Sequence, residues 1–162
     1  MSKFIFGFGD KKAKKIPNSR NILGGKGSNL AELARLGLPV PPGFTISTKM
    51  CEIFYKNNKK LNTKIKVEIK NELKKIESKT KKKFGENSNP LLISVRSGSR
   101  VSMPGMMDTI LNLGLNDKTV SALSKKTSNG RFAKDSYRRF IQMYSNVVLG
   151  VEGYYFEDVI EN

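Results

Sequence analysis

Leu61, Ile65, Ile69, Leu73 and Ile76 step by four, four, four and three residues through a stretch whose other positions are mostly charged. That spacing places five apolar side chains on one face of a helix. Such a helix must lie against another element, and its opposite face must stay wet. From Lys56 to Lys83 there are 12 Lys against Glu68, Glu72 and Glu77, a net of +9. The segment is therefore predicted as a helix with its stripe on a core and its lysines in water. The other reading of the lysines is a nucleic-acid patch. It is the weaker one, because the run lacks the interleaved arginines and stacking aromatics that RNA and single-strand binders use.

The chain has 162 residues, which bounds it to one domain or one and a piece of a second. That is enough to bury a sizeable core. Its net charge of +16 predicts attraction to polyanions, whether nucleotides, nucleic acid or acidic surfaces. A second basic cluster runs from Lys11 to Lys15. Cys51 is the only cysteine, so no disulfide can form within the chain, and a reducing compartment is expected. In the helical-looking run MCEIFY it reads as a packing residue. The apolar stretch Phe4 to Phe8 is too short for a signal-peptide core, and no run is long enough to span a membrane. A soluble, cytoplasmic protein without a membrane partner is expected.

Around the lysine-rich helix the pattern alternates. Phe4, Phe6 and Phe8 alternate with Ile5 and Gly7, which predicts a first strand. Leu30, Leu33 and Ala34 recur at helical spacing after Gly24-Gly25-Lys26-Gly27. Gly37 suits a left-handed stop, and Pro39 forbids continuation. Phe44 to Thr48 alternate as a strand, and Thr48 is placed to cap a helix through Cys51, Phe54 and Tyr55. Residues 84–90 form a loop before a buried strand, Leu91 to Val95. After Asn112 the character changes. Phe132, Phe140, Ile141, Tyr144 and Val148 predict one long helix from Arg131 to Leu149, closed by Gly150, and residues 154–162 begin another. The fold class expected is α+β.

Two loops carry chemistry. In LLISVRSGSRVSMPGMMDTILNL (residues 91–113) the apolar run ends in Arg96, then Ser97, Gly98, Ser99 and Arg100. A guanidinium fork held at a strand's end suits bidentate contact with phosphate oxygens, and the serines and glycine add donors. Gly105, between Pro104 and Met106, predicts a tight turn over a ligand. Met106 and Met107 offer polarizable surface for a flat base, with Asp108 and Thr109 behind. The alternative is that Arg96 pairs with a carboxylate and the methionines fill core. In the second loop, GGKG, glycines permit close approach of a phosphate to a helix N-terminus, with Lys26 reaching over it. A plain loop-to-helix turn explains the same residues. This is not a Walker A loop, because Lys26 is followed by Gly27 rather than Ser or Thr.

The segments GGKGSNLAEL, LGLPVPPGFTIST, KKFG, LLISVRSGSRVSMPGMMDTILNLGLND and RFAKDSYRRFIQMYS resemble the N-terminal part of the pyruvate, phosphate dikinases, over about Phe4 to Phe156. The continuation MPGMMDTILNLGLND separates this family from phosphoenolpyruvate synthase and the glucan dikinases, which share a VRSS-type segment. The resemblance implies the N-terminal portion of an ATP-grasp nucleotide-binding domain. Residues 1–113 would be its first α/β subdomain and 114–162 the start of a helical subdomain. Lys26 and Arg96 would contact ATP phosphates, with Ser97 and Gly98 beside Arg96. Gly105, Met106 and Met107 would close over the phosphates, with Asp108 and Thr109 just behind.

In the family, ATP, phosphate and pyruvate become AMP, pyrophosphate and phosphoenolpyruvate through a phosphorylated histidine on a separate domain. This chain contains no histidine. The family's Mg²⁺-binding carboxylates and pyruvate barrel would also lie beyond Asn162. The resemblance thus implies a truncated ATP-binding segment, using ATP with Mg²⁺ and lacking turnover and catalytic residues of its own. Two alternatives stand beside it. One is a polypeptide of a split dikinase, completed by a separate chain; the other is a basic remnant that binds nucleic acid. A homodimer through uncovered surfaces is compatible with the first two.

Overall fold

The computed structural model describes residues 3–9, 16–98 and 108–161. It divides into two compact units, Met1–Thr80 with Gly98–Met107, and Lys81–Ser97 with Asp108–Asn162. Both mix helices with short antiparallel strands, so the α+β expectation holds at that level.

In the first unit, β1 (Ile5–Phe8) pairs antiparallel with β2 (Gly43–Ile46), with Ile5 opposite Ile46 and Phe8 opposite Gly43. Between them runs α1 (Ser19–Arg35). A two-stranded sheet is marginal by itself in water, and here helices cover it. α1 and α3 (Thr63–Thr80) both pack on the strands, while α2 (Thr48–Lys56) packs on α1. The lysine-rich helix behaves as its periodicity requires from Ile65 on, while Leu61, expected on the same stripe, stands before the helix start, where the Asn62 side chain accepts from the Ile65 amide. Ile65 and Ile76 are buried, Ile69 and Leu73 are half-buried, and the lysines from Lys64 to Lys79 are exposed. Fully burying one such isoleucine is worth roughly 1.5–3 kcal/mol. Ile5, Leu23, Ala34 and Met50 complete this core.

α1 ends as expected. Gly37 has φ 84°, the Gly37 amide donates to the Ala34 carbonyl, and the Leu38 amide donates to the Leu33 carbonyl. That pair of bonds is the Schellman arrangement, which satisfies carbonyls the helix leaves unpaired. Two local expectations fail. Cys51 is exposed, because the buried position of α2 is taken by Met50 one residue earlier. Thr48 is not a cap: it is the first residue of α2, and its hydroxyl donates instead to the Asn21 carbonyl at 2.6 Å, tying α2 to α1.

In the second unit, β3 (Ile93–Arg96) pairs antiparallel with β4 (Thr109–Leu113). β4 is a strand where the sequence suggested loop. The register runs from Ile93 opposite Leu113 to Arg96 opposite Thr109, with an irregularity between. Asn112 takes φ 58° in that irregular stretch, in the left-handed region that Asn tolerates better than most residues. Gly114, at φ 115°, follows; a Cβ there would meet the Leu91 carbonyl oxygen at 2.8 Å.

The expected buried strand is buried only at its approach. Leu91 is buried, but Ser94, Val95 and Arg96 are exposed, because β4 is the only strand paired with β3 among the described residues. Three helices follow: α4 (Asp117–Thr127), α5 (Gly130–Tyr144) and α6 (Tyr154–Glu161). The expected long helix is therefore α5 extended by a π-helical turn, Ser145–Leu149, and Gly150 closes it at φ 70°.

α4 escaped the periodicity reading, although its start is strongly specified. The Asn116 side chain accepts from the Lys118 and Thr119 amides, each at 2.9 Å, and the Thr119 hydroxyl accepts from the Asn116 amide at 2.7 Å. This reciprocal capping satisfies donors that a helix start leaves open. Thr119 is fully buried, and its hydroxyl donates to the Gly114 carbonyl at 2.9 Å, so it fastens β4's end to α4. α5 packs on α4 and β4 through Ala133 and Ser136, and the Tyr137 hydroxyl donates to Asp117 at 3.0 Å.

Candidate functional site

Lys26 stands inside α1, two residues past a break in it. Gly24 takes φ 72° and ψ 172°, a conformation open essentially to glycine alone. The helix thus turns at Gly24, and Lys26 lies in the first turn of the segment that follows. The other glycines of the turn are not equivalent. Gly27 is buried, and a Cβ there would sit 2.8 Å and 2.9 Å from the two Thr45 side-chain tips and 3.2 Å from the Leu23 Cβ. Gly27 is therefore used to seat α1 on β2, not to admit a ligand. Thr45 is the partner that sequence reasoning missed, since nothing local links residue 27 to residue 45. Ser28, one position on, shares a 2.6 Å hydrogen bond with Ser19.

Arg96 is the last residue of β3, opposite Thr109 on β4. Beyond it the two strands are closed by main chain and side chain together. The Ser97 amide donates to the Asp108 carbonyl at 3.0 Å, and the Ser97 hydroxyl donates to the same oxygen at 3.2 Å. Ser97 thus spends its hydroxyl on the hairpin, and Asp108 contributes its backbone oxygen while its exposed carboxylate stays outside that bond. Arg96 is exposed, with no carboxylate at ion-pair distance among the described residues. Within that set the carboxylate-paired alternative for Arg96 has no partner.

The structure therefore brings Arg96, Ser97, Asp108 and Thr109 together at the end of one hairpin where the chain passes from β3 to β4, in the second unit. Lys26 belongs to the first unit, as does Gly98. A Cβ on Gly98 would lie 3.8 Å from the Leu23 carbonyl oxygen, so Gly98 approaches α1 at the residue just before the Gly24 break. Gly105, Met106 and Met107 lie outside the described residues, as do Ser99, Arg100 and Lys11 to Lys15.

The hairpin end offers the Arg96 guanidinium to an anion, and no acid–base pair is built there among the described residues. Among the described residues no group of three or more His, Cys, Asp or Glu side chains is placed to hold a metal ion. The donor set for a protein-held Mg²⁺ does not fit among those residues. None of the described helices is long and apolar enough to cross a membrane.

Comparison with known proteins gives a consistent picture. The family described as pyruvate phosphate dikinase, AMP/ATP-binding domain, matches residues 20–72 and 60–142. The chain is 52% identical over 161 residues to pyruvate, phosphate dikinase of Clostridium symbiosum, covering 99% of this chain and 18% of that protein. It is 49% identical over 162 residues to the Rhizobium meliloti enzyme, covering 100% of this chain and 18% of that one. It is also 49% identical over 159 residues to the chloroplastic enzyme of Flaveria pringlei, covering 98% and 16%. The chain thus spans about 18% of the length of the first two relatives.

Proposed function

Because this chain belongs to the pyruvate phosphate dikinase family, through its AMP/ATP-binding domain, we propose that it is a nucleotide-gripping segment whose phosphate-contacting cations are Lys26 and Arg96. The observation that carries this reading is the hairpin end at Arg96. Arg96 is exposed at the end of β3 with no carboxylate partner among the described residues, and the Ser97–Asp108 bonds fix the backbone beside it. A planar fork in that condition suits a phosphate better than a surface lysine does.

In this reading the α+β fold is the N-terminal portion of an ATP-grasp domain. Residues 1–113 form its first α/β subdomain and 114–162 the start of the helical one. Gly98 places its main chain beside the phosphates, and Ser97, whose amide and hydroxyl donate to the Asp108 carbonyl, shapes the backbone next to Arg96. Gly105, Met106 and Met107 cover them, and Asp108 and Thr109 back the turn. Magnesium arrives with the nucleotide. The family reaction passes through a phosphohistidine, and these 162 residues contain no histidine. Turnover therefore requires other parts of a dikinase, and this segment alone binds without converting ATP, phosphate and pyruvate to AMP, pyrophosphate and phosphoenolpyruvate.

The test is isothermal titration calorimetry with Mg·ATP, repeated with Arg96→Ala and across a salt series. Saturable binding that the substitution removes supports the reading. Heat that Arg96→Ala leaves unchanged and salt abolishes refutes it, because that is the behaviour of unspecific attraction to a basic chain.

A second reading is favoured by one feature of the second unit. Val147, Val148, Leu149, Tyr154, Tyr155 and Val159 are all exposed. Apolar surface of this extent marks an interface. We propose that it receives further dikinase segments, whether or not they belong to the same polypeptide. Restoration of pyruvate-dependent AMP formation on mixing this chain with a histidine-containing dikinase fragment tests that assignment, and failure of the two to associate overturns it.

A further inference from the structure

The first unit contains a cavity of about 610 Å³ that the phosphate reading leaves unused, since Lys26 is not among its lining residues. Its apolar wall comes from Phe6 and Phe8 of β1 and from Pro42 and Ile76, while α1 contributes Ala31. This explains the alternation in the first strand. Ile5 points into the core, while Phe6 and Phe8 are only half-buried because their rings face the cavity. Phe8 lies directly against Gly43, where any added Cβ would collide with its ring.

The charges around the opening do not cancel. Glu32 is held by Arg35 and Glu72 by Lys75, each pair at 2.6 Å. Lys3 and Lys79 remain, with no carboxylate at ion-pair distance among the described residues. The Lys3 ammonium sits 5.3 Å from the centre of the Phe6 ring, so one of these cations is already placed at the edge of the aromatic wall. A ligand matching this lining has an apolar body for the Phe6–Phe8 wall and negative charge for Lys3 and Lys79. Its charge must be small, because Glu72 reaches over β1 and would approach a Cβ on Gly7 to 3.3 Å. A nucleoside triphosphate brings too many negative charges past Glu32 and Glu72. The volume falls in the range of small-molecule sites, roughly 300–1,000 Å³.

We infer that this cavity binds a small organic anion, with an aromatic or aliphatic body and one or two negative charges, at a site separate from the nucleotide phosphates. Part of this rests on the proposed function only in calling the site separate; the cavity and its charges stand without it.

The probe is 8-anilinonaphthalene-1-sulfonate, titrated by fluorescence into the full chain at low salt. Lys79→Glu and Ala31→Leu are measured alongside, with circular dichroism to confirm that each variant is folded. One saturable site is expected. Lys79→Glu changes two units of charge at about 6 Å in a water-like dielectric, which weakens binding roughly tenfold. Ala31→Leu fills part of the cavity and weakens binding as well. Should Ala31→Leu fail to fold, the exposed Lys79 still decides. Several weak sites, or a single site that folded Lys79→Glu binds as well as the parent chain, overturns the inference. Mg·ATP titrations on the same preparations separate the two readings. Dye binding without Mg·ATP binding refutes only the phosphate grip, and Mg·ATP binding without a single dye site refutes only this cavity.

Discussion

Gly27→Ala tests whether the glycine-rich turn is built for helix packing. The added methyl would stand 2.8 Å and 2.9 Å from the Thr45 side-chain tips and 3.2 Å from the Leu23 Cβ, all closer than ordinary van der Waals contact. Thr45 is half-buried on β2 and cannot retreat without disturbing its pairing with Phe6. Overpacking of this kind costs about 1–3 kcal/mol. Alanine returns about 0.5–1 kcal/mol through its better helix propensity, since Gly27 is in ordinary helical backbone. The net expected loss is roughly 0.5–2 kcal/mol, read as a lower urea midpoint by circular dichroism. Thr45→Ala removes both clashing atoms, so the double variant should recover most of that loss. A coupling of about 1 kcal/mol is expected in the cycle. If Gly27→Ala is as stable as the parent chain, or the two changes add without coupling, the packing account of the turn is wrong. The glycine would then be free for a ligand's approach.

Four further outcomes are expected. Thr119→Val should destabilise by about 1–3 kcal/mol, because it removes a buried hydroxyl that bonds both the Asn116 amide and the Gly114 carbonyl, and thermal unfolding reads this directly. Asn116→Ala should cost about 1 kcal/mol by removing the side chain that caps α4, measured in the same way. Asp135 is hydrogen-bonded by Arg138 and also by Arg139, and these guanidiniums hold its carboxyl below the ordinary value of 3.8. Because the folded value is depressed, its contribution is present above the unfolded value and lost as pH falls through the folded one. Carbon-detected NMR should place its titration below pH 3.8, and Arg138→Gln should move it back up. The hydrogen bond to Asp117 raises the Tyr137 phenol above its ordinary 10.0. That contribution is complete below the unfolded value and fades as pH rises through the folded one. The hydrogen bond with Tyr155 raises the Tyr154 phenol as well, so absorbance titration should show late tyrosine ionisation that Tyr137→Phe reduces in amplitude without abolishing.

The sequence alone determined the elements whose burial pattern is written locally. The four-four-three steps from Ile65 to Ile76 required α3 to be one-sided, and its lysines had no choice but solvent. Gly37 and Gly150 marked helix ends because a left-handed residue is cheap only where no Cβ intervenes. The place of Arg96 at the end of a strand was also legible, because strand, arginine and serine are consecutive. Tertiary structure decided what depends on residues far apart in the chain. Gly27 is explained by Thr45, the Ser97 hydroxyl by the Asp108 carbonyl, and the exposure of Val95 by a sheet of only two described strands. Cys51 and Met50 differ by one step around a helix, and only the position of α1 decides which of them is covered. Periodicity states that an apolar face exists. The neighbour that meets it, and the side chain that must shrink to glycine to allow the meeting, follow from close packing in three dimensions.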